Sequence, residues 1–506
     1  MTRIKSLIRC IAFVLAALFC IKGAIRILVP KNYTGEWLSP VPSYCGFYEL
    51  KKDTVDVLFL GSSHTYASFC PQVLYDEYGI TSYNMGMGNQ NLILSYYWLK
   101  EALRTQSPSA VVVESVFAFN RCNNPSNSLE SATQKSLNYM HWTRNRVDAI
   151  KAFCEIEPEL YSWESFIPNL RYHDRWKELH EEDFTFGEIA SRSQLMGYSE
   201  AFRYYCRIDD YEPYSITDET KEMDAEEMVP AMEEYLDKIV ELCRERKIRL
   251  ILALTPSTST TLSMHIGLQK YADQQGVEVL DYNTEDMIRE MEYEFGVHNS
   301  DDEHPSIWGA QKITLKLGEY LTKQDDPASS SLQPHQDAQW ENSRSYYENA
   351  IRDAELMHKD SIYEYLSALG DDRYSVFICV KGEASSSADE QIAGLLQDLG
   401  LKEDLKELGG DSYFAVIDAG KVLSEARGTE EIYSTGSIRN GRTIYEIDSK
   451  GSNADSQTYG YSSIIVNGKE LSVNKQGINI AVLKNESTAV IDKVCYHTGG
   501  DLKAER

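Results

Sequence analysis

Apolar and polar positions change rhythm several times along the chain. Residues 10–21 form an unbroken apolar run. From residue 55 onward, short continuous apolar runs alternate with stretches of helical period. The runs predict strands over 55–60, 80–84, 110–114, 248–256 and 277–282. The periodic stretches predict helices over 71–78, 92–105, 226–246, 262–275, 284–295 and 305–321. Continuous apolar strands separated by helices imply a parallel sheet covered on both faces. The expected fold class is therefore α/β: a three-layer α/β/α parallel-sheet domain over 54–323.

Residues 120–223 interrupt the alternation. They are rich in Tyr, Trp, Asn and charge, with helical patches such as NLRYHDRWKEL. An insertion after a strand end lies on the face where such sheets bind ligands. It reads as a lid or substrate platform, or as a structural helical subdomain. Residues 324–339, KQDDPASSSLQPHQDAQ with the preceding lysine, lack apolar periodicity and read as a linker. A helix is expected over 340–369. A second domain then begins, with strand runs YSVFICV, SYFAVID, SSIIVNG, INIAVL and AVIDKVCYH around the helix DEQIAGLLQDLG. The region 340–506 is thus a helix followed by a mixed, β-rich domain.

Charge sharpens the reading of the N-terminus. The chain of 506 residues carries a formal net charge of -28. That argues against a nucleic-acid binder, which needs basic surface to displace counterions. Residues 1–31 depart from this acidity, with Arg3, Lys5, Arg9, Lys22, Arg26 and Lys31 and no acid. If Lys22 and Arg26 snorkel, residues 23–29 extend the apolar run toward membrane-spanning length. No small-x-small cleavage site follows, so an uncleaved anchor is preferred to a cleaved signal peptide or a buried soluble helix. Residues 32–53 read as a juxtamembrane stem. An N-in anchor places everything after residue 31 outside the cytoplasm. The ten cysteines show no CxxC spacing, so no zinc site and no cofactor are expected. Cys379 and Cys495 are either a disulfide or two separate thiols.

Three stretches carry chemistry, each at a strand's C-terminal end. DVLFLGSSHTYASF, 56–69, ends a strand on Gly61-Ser62-Ser63-His64 and continues as a helix. A serine at such a turn projects from the sheet edge, and the following amides favour negative charge. The plain alternative for Ser63 is an N-cap. NSDDEHPSIWGAQK, 299–312, places Asp301 three residues before His304, a spacing at which the acid can fix one imidazole nitrogen. Pro305 is expected to open the following helix. YNMGMGNQN, 83–91, offers Asn84, Gly86, Gly88 and Asn89 near a substrate oxygen.

Together these stretches resemble the SGNH (GDSL-type) hydrolase superfamily. Gly61-Ser62-Ser63 resembles its GDS block, with Ser62 in place of the aspartate. The resemblance implies Ser63 as nucleophile, His304 as base and Asp301 as its acid. The oxyanion donors would be Ser63 with Gly88 or Asn89, and Asn84 and Gly86 would border the substrate. The GxND block is the departure, because SVFAFNR follows AVVVE; Asn120 or Ser115 are the candidates there. GSSH, the anchor and the insertion carrying YHDRW resemble the branch of D-alanyl-teichoic-acid transfer and alginate O-acetylation proteins. That branch implies acyl transfer to or from a cell-surface polymer beside a membrane-bound O-acyltransferase; the alternatives are a secreted carbohydrate esterase or lipase and a catalytically inactive glycan-binding scaffold. It makes His173, Arg175 and Trp176 substrate-binding candidates. The C-terminal region, with Gln476-Gly477-Ile478-Asn479, resembles the ILEI/PANDER domain, though Tyr496-His497-Thr498 departs from its usual ending. This implies a non-catalytic carbohydrate-binding module, with a structural or protein-docking role as the alternative.

Overall fold

The computed structural model describes residues 2–29, 41–179, 181–184, 195–199, 211–221, 223–323, 338–383, 388–438, 441, 443–455, 460–485, 489–497 and 502–506. The chain divides into two compact units, Met1–Ala350 and Ile351–Arg506.

The first unit opens with α1 (Thr2–Leu28) and α2 (Val41–Glu49). A parallel alternation follows: β1 (Val57–Leu60), α3 (Ser63–Ser68), α4 (Pro71–Tyr78), β2 (Ser82–Asn84), α5 (Leu92–Ala102) and β3 (Ala110–Glu114). The insertion contributes α6 (Glu130–Tyr139), α7 (Arg144–Ile156), α8 (Pro168–Arg171) and α9 (Asp218–Lys221). The alternation resumes with α10 (Pro230–Arg246), β4 (Arg249–Leu254), α11 (Leu262–Gln275), β5 (Glu278–Asp281), α12 (Glu285–Glu290), α13 (Phe295–His298) and α14 (Ile307–Leu321). The five strands form one parallel sheet in the order β2-β1-β3-β4-β5.

Strand period decides which face each side chain fills. Leu58 and Leu60 of β1 join the core beneath α5 and α10, while Val57 and Phe59 join the one beneath α14. Both faces are therefore apolar, as the continuous runs require. The 32–53 segment is more than a tether. Its α2 buries Tyr44 and Phe47, and Tyr44 stacks on Trp98 with ring centroids 4.0 Å apart. The insertion also shares this core through Leu137, Ile150, Phe153 and Phe166, which makes its 130–166 part a packed subdomain. Its residues 180, 185–194, 200–210 and 222, like most of the expected linker, lie outside the described residues.

Three expected helices depart most from their expected bounds. The one over 284–295 breaks into α12 and α13 around Glu292, which turns with φ 50°. Pro305 does not open α14. It pairs with Asn299 in a β-bridge, and Ser306 caps the helix, accepting from the Gly309 N–H. The helix over 340–369 is two: α15 (Ala338–Met357) and α16 (Ile362–Ala368). The start of α15 belongs to the first unit, where Trp340 stacks on Tyr75 at 4.5 Å.

The second unit holds β6 (Tyr374–Lys381), α17 (Glu390–Asp398), β7 (Ser412–Asp418), β8 (Lys421–Gly428), β9 (Ile432–Ile438), β10 (Thr443–Lys450), β11 (Tyr461–Val466), β12 (Lys469–Glu470), β13 (Gly477–Lys484), β14 (Val490–His497) and β15 (Ala504–Glu505). They build an antiparallel six-stranded sheet, β15-β14-β13-β6-β7-β8, and a four-stranded one, β12-β11-β10-β9. One face of the larger sheet packs on α16 and α17, and the other packs on the smaller sheet. Cys379 and Cys495 are two separate thiols. Both stand opposite Asn479, on the two strands that flank β13. Two strand spacings of about 4.8 Å put them beyond disulfide reach. Burial pushes both thiols up to about 12.

Candidate active site

The site grows from the end of β1. Gly61 turns the chain with φ 141°, and a β-carbon there would meet Thr65 Oγ1 at 2.3 Å and Glu114 Cβ at 2.9 Å. The turn demands glycine. Ser62, not Ser63, is the N-cap of α3; its hydroxyl accepts from the His64 N–H at 3.3 Å and donates to Glu114 Oε2 at 3.3 Å. This frees Ser63, the first residue of the helix, to turn its side chain outward. Ser63 Oγ lies 2.8 Å from His304 Nε2.

The loop 299–306 brings the histidine. It is held to the end of β4 by the Thr258 N–H on the Asp302 carbonyl, 2.9 Å, and closed on itself by the Ser300 N–H on the His304 carbonyl, 2.8 Å. Asp301 accepts from the backbone N–H groups of Glu303 (2.9 Å) and His304 (2.7 Å). Its two oxygens also lie 2.9 and 3.0 Å from His304 Nδ1. An Nδ1–H donating to Asp301 leaves Nε2 to accept the Ser63 proton. Burial opposes the charge on Asp301, but the His304 hydrogen bond and the two backbone donors outweigh it and lower its pKa. The helix after the loop stitches the halves together: Thr314 of α14 donates to the Ser68 carbonyl at 3.2 Å and accepts from the Cys70 N–H at 3.0 Å.

The 83–91 stretch crosses the start of α3. The Met87 N–H donates to the Gly61 carbonyl at 3.1 Å. Gly86 fits because it has no β-carbon; one would lie 2.8 Å from Thr65 Cβ and 2.9 Å from the Ser62 carbonyl. Asn84 is committed to the backbone, donating to the Thr65 and Phe69 carbonyls at 2.8 and 3.0 Å and accepting from the Gly86 N–H at 3.0 Å. Gly88 is partly exposed beside Tyr66, and Asn89 is exposed with φ 57°. The candidates for the missing block are occupied elsewhere. Ser115 donates to the Val113 carbonyl at 2.9 Å, and Asn120 bonds Asn123 on the surface. Nor do His173, Arg175 and Trp176 join the triad. His173 and Trp176 are exposed; Arg175 bonds the Leu28 carbonyl and Asp183.

A second ionic group, which the motifs do not single out, backs the triad. His64 is buried, with Nε2 2.9 Å from Glu303 Oε2 and Nδ1 3.4 Å from the Thr255 hydroxyl. Its ring centroid lies 5.3 Å from that of His304. Arg121 donates to both Glu303 oxygens, at 2.9 and 2.6 Å. Burial opposes the Glu303 charge, but His64 and Arg121 hold this carboxyl well below the usual range. Glu114, fully buried at the end of β3, is pushed the other way by desolvation. The sequence carries a signal for each of these: His64 and Glu303 sit inside the quoted motifs, and Glu114 is an acid ending an apolar strand. Among the described residues, no group of three or more His, Cys, Asp or Glu is placed to hold a metal ion.

No family model matches the chain, and no curated protein matches it in sequence. Four solved chains share partial likeness with this one, among them two crystal structures of bacterial proteins. A Bacteroides fragilis protein provisionally described as an acylhydrolase is 12% identical, with 55% of this chain and 94% of that one covered, at a TM-score of 0.25. A GDSL-like lipase from Bacteroides thetaiotaomicron is 11% identical, with 56% and 100% covered, also at 0.25. A TM-score of 0.25 is too low for either to speak for this chain's chemistry.

Proposed function

We propose that this protein is a membrane-anchored serine esterase or O-acyltransferase of the SGNH (GDSL) type, acting on an acylated cell-surface glycan or teichoic-acid-like polymer. The observation that carries the reading is the continuous line from Ser63 Oγ through His304 to Asp301, with contacts of 2.8 and 2.9 Å. Ser63 attacks the acyl carbonyl while His304 Nε2 takes its proton. Asp301 holds the ring and balances the imidazolium. The Ser63 and Gly88 amides receive the oxyanion, with Asn89 as the alternative donor. Collapse expels the alcohol, protonated by His304. An acceptor hydroxyl, deprotonated by the same nitrogen, then takes the acyl group from Ser63. The acceptor is a sugar or polyol hydroxyl in transfer and water in hydrolysis.

α1 supports the anchor: residues 4–28 are a helix apolar and long enough to cross a membrane, as a signal sequence would also be. An acyl supplier in the membrane, of the O-acyltransferase class, fits such an anchor. The ILEI/PANDER-like unit would hold the glycan without reacting with it. The test is incubation of the full chain with an O-acetylated polysaccharide and an unacetylated oligosaccharide. The expected result is acetate released to water or moved to the oligosaccharide, lost in Ser63→Ala. Turnover that survives Ser63→Ala would contradict the proposal.

A further inference from the structure

The insertion segment that touches the end of α1 displays large apolar side chains to solvent, and its position says what covers them. α1 is bare over its first half and partly covered from Gly23 to Val29. The cover comes from α8 and from the two turns that follow it, His173–Lys177 and Glu181–Phe184. Arg175 makes the attachment specific. Its Nη1 donates to the Leu28 carbonyl at 2.6 Å, a last-turn group with no intrahelical donor. Its Nη2 holds Asp183 at 2.9 and 3.0 Å. The segment is therefore fixed at the level where α1 ends.

That level follows from the helix length. The apolar span Ile4–Leu28 has 25 residues. At about 1.5 Å per residue it is roughly 37 Å long, against about 30 Å of hydrocarbon. The last turn of a spanning α1 thus emerges among the headgroups. At this depth the attached segment exposes Ile167 (41%), Leu170 (52%), Trp176 (65%) and Phe184 (52%). Large apolar side chains left exposed are costly in water and favourable at the boundary of headgroups and acyl chains, where tryptophan concentrates.

We infer that the 167–184 face is a second membrane contact, dipping into the outer leaflet beside the anchor with Trp176 as its deepest ring. It rests on the reading of α1 as a membrane span. Trp176 then meets lipid rather than the sugar of a substrate. The two attachments, α1 and this face, fix how the first unit is turned against the bilayer.

The test uses the full chain carrying Trp37→Phe, which removes the tryptophan that follows the apolar helix by nine positions in the sequence, reconstituted in phosphatidylcholine–phosphatidylglycerol vesicles with lipids brominated near the headgroup end of the chain. Tryptophan emission should be quenched by the brominated lipid, and adding Trp176→Phe should remove most of that quenching. Leu170→Gln with Phe184→Gln should weaken it while circular dichroism stays unchanged. If carbonate leaves the chain in the vesicles and Trp176→Phe does not alter the quenching, the inference is overturned while the anchor stands. If carbonate strips the chain from the vesicles, the spanning reading fails and takes the inference with it.

Discussion

His304 can serve Ser63 only while Asp301 is ionised, and its donors keep it so below the usual carboxylate range. Asp301→Asn should keep the loop's shape but lose the charge that orients the imidazole. The expected cost is about 10^4-fold in rate, measured as kcat/KM on an activated acetyl ester. Glu303 makes a different prediction. Its folded pKa is depressed, so its contribution to stability is complete above the unfolded value of about 4.3 and disappears as pH falls through the folded value. Urea midpoints of the native protein and Glu303→Gln should therefore differ at pH 6, and the gap should narrow as pH falls from 4 toward 2.5. A gap equally wide at pH 6 and pH 2.5 would mean the charge is not what Glu303 contributes. Ser63, Asp301 and His304 were legible because each sits in a short motif. The pairing of Glu303 was not: His64, though inside a motif, and Arg121 lie 239 and 182 positions away, and only the closed fold brings them together.

Elements were legible where apolar period dominates. β1, β3, α4 and α10 fall within a few residues of expectation, because each buries a continuous run or stripe. The misses lie where side chains rather than periodicity set the ends. Ser306 and the Asn299–Pro305 bridge start α14 two residues late, which leaves 301–304 as a loop able to present His304. The turn over α3 is equally dependent on detail. Gly86→Ala would push a methyl against the Ser62 carbonyl and the Tyr66 nitrogen, backbone that cannot swing aside. About 1–3 kcal/mol of destabilisation is expected, read from urea unfolding, together with slower acylation because α3 carries Ser63.

Ser63, His304 and Asp301 all belong to the first unit. Sequence boundaries put the division in the 324–339 stretch, yet the compact units divide within α15, because Trp340 and Tyr347 are buried in the first. Aromatic side chains on a polar helix hid this, since periodicity does not say which body a helix packs against. Each unit has its own cores. Ile378→Ala, in the core beneath α16 and α17, should destabilise the second unit by about 2–5 kcal/mol. Native-state acylation of Ser63 should be unchanged, checked by hydrogen exchange and labelling on one sample. The central claim remains a reactive hydroxyl at the end of β1. Its most direct test is peptide mass mapping after a fluorophosphonate probe. The account predicts one adduct on Ser63, absent from Ser63→Ala and strongly reduced in His304→Ala. An unlabelled native protein, or equal labelling of Ser63→Ala, would contradict it.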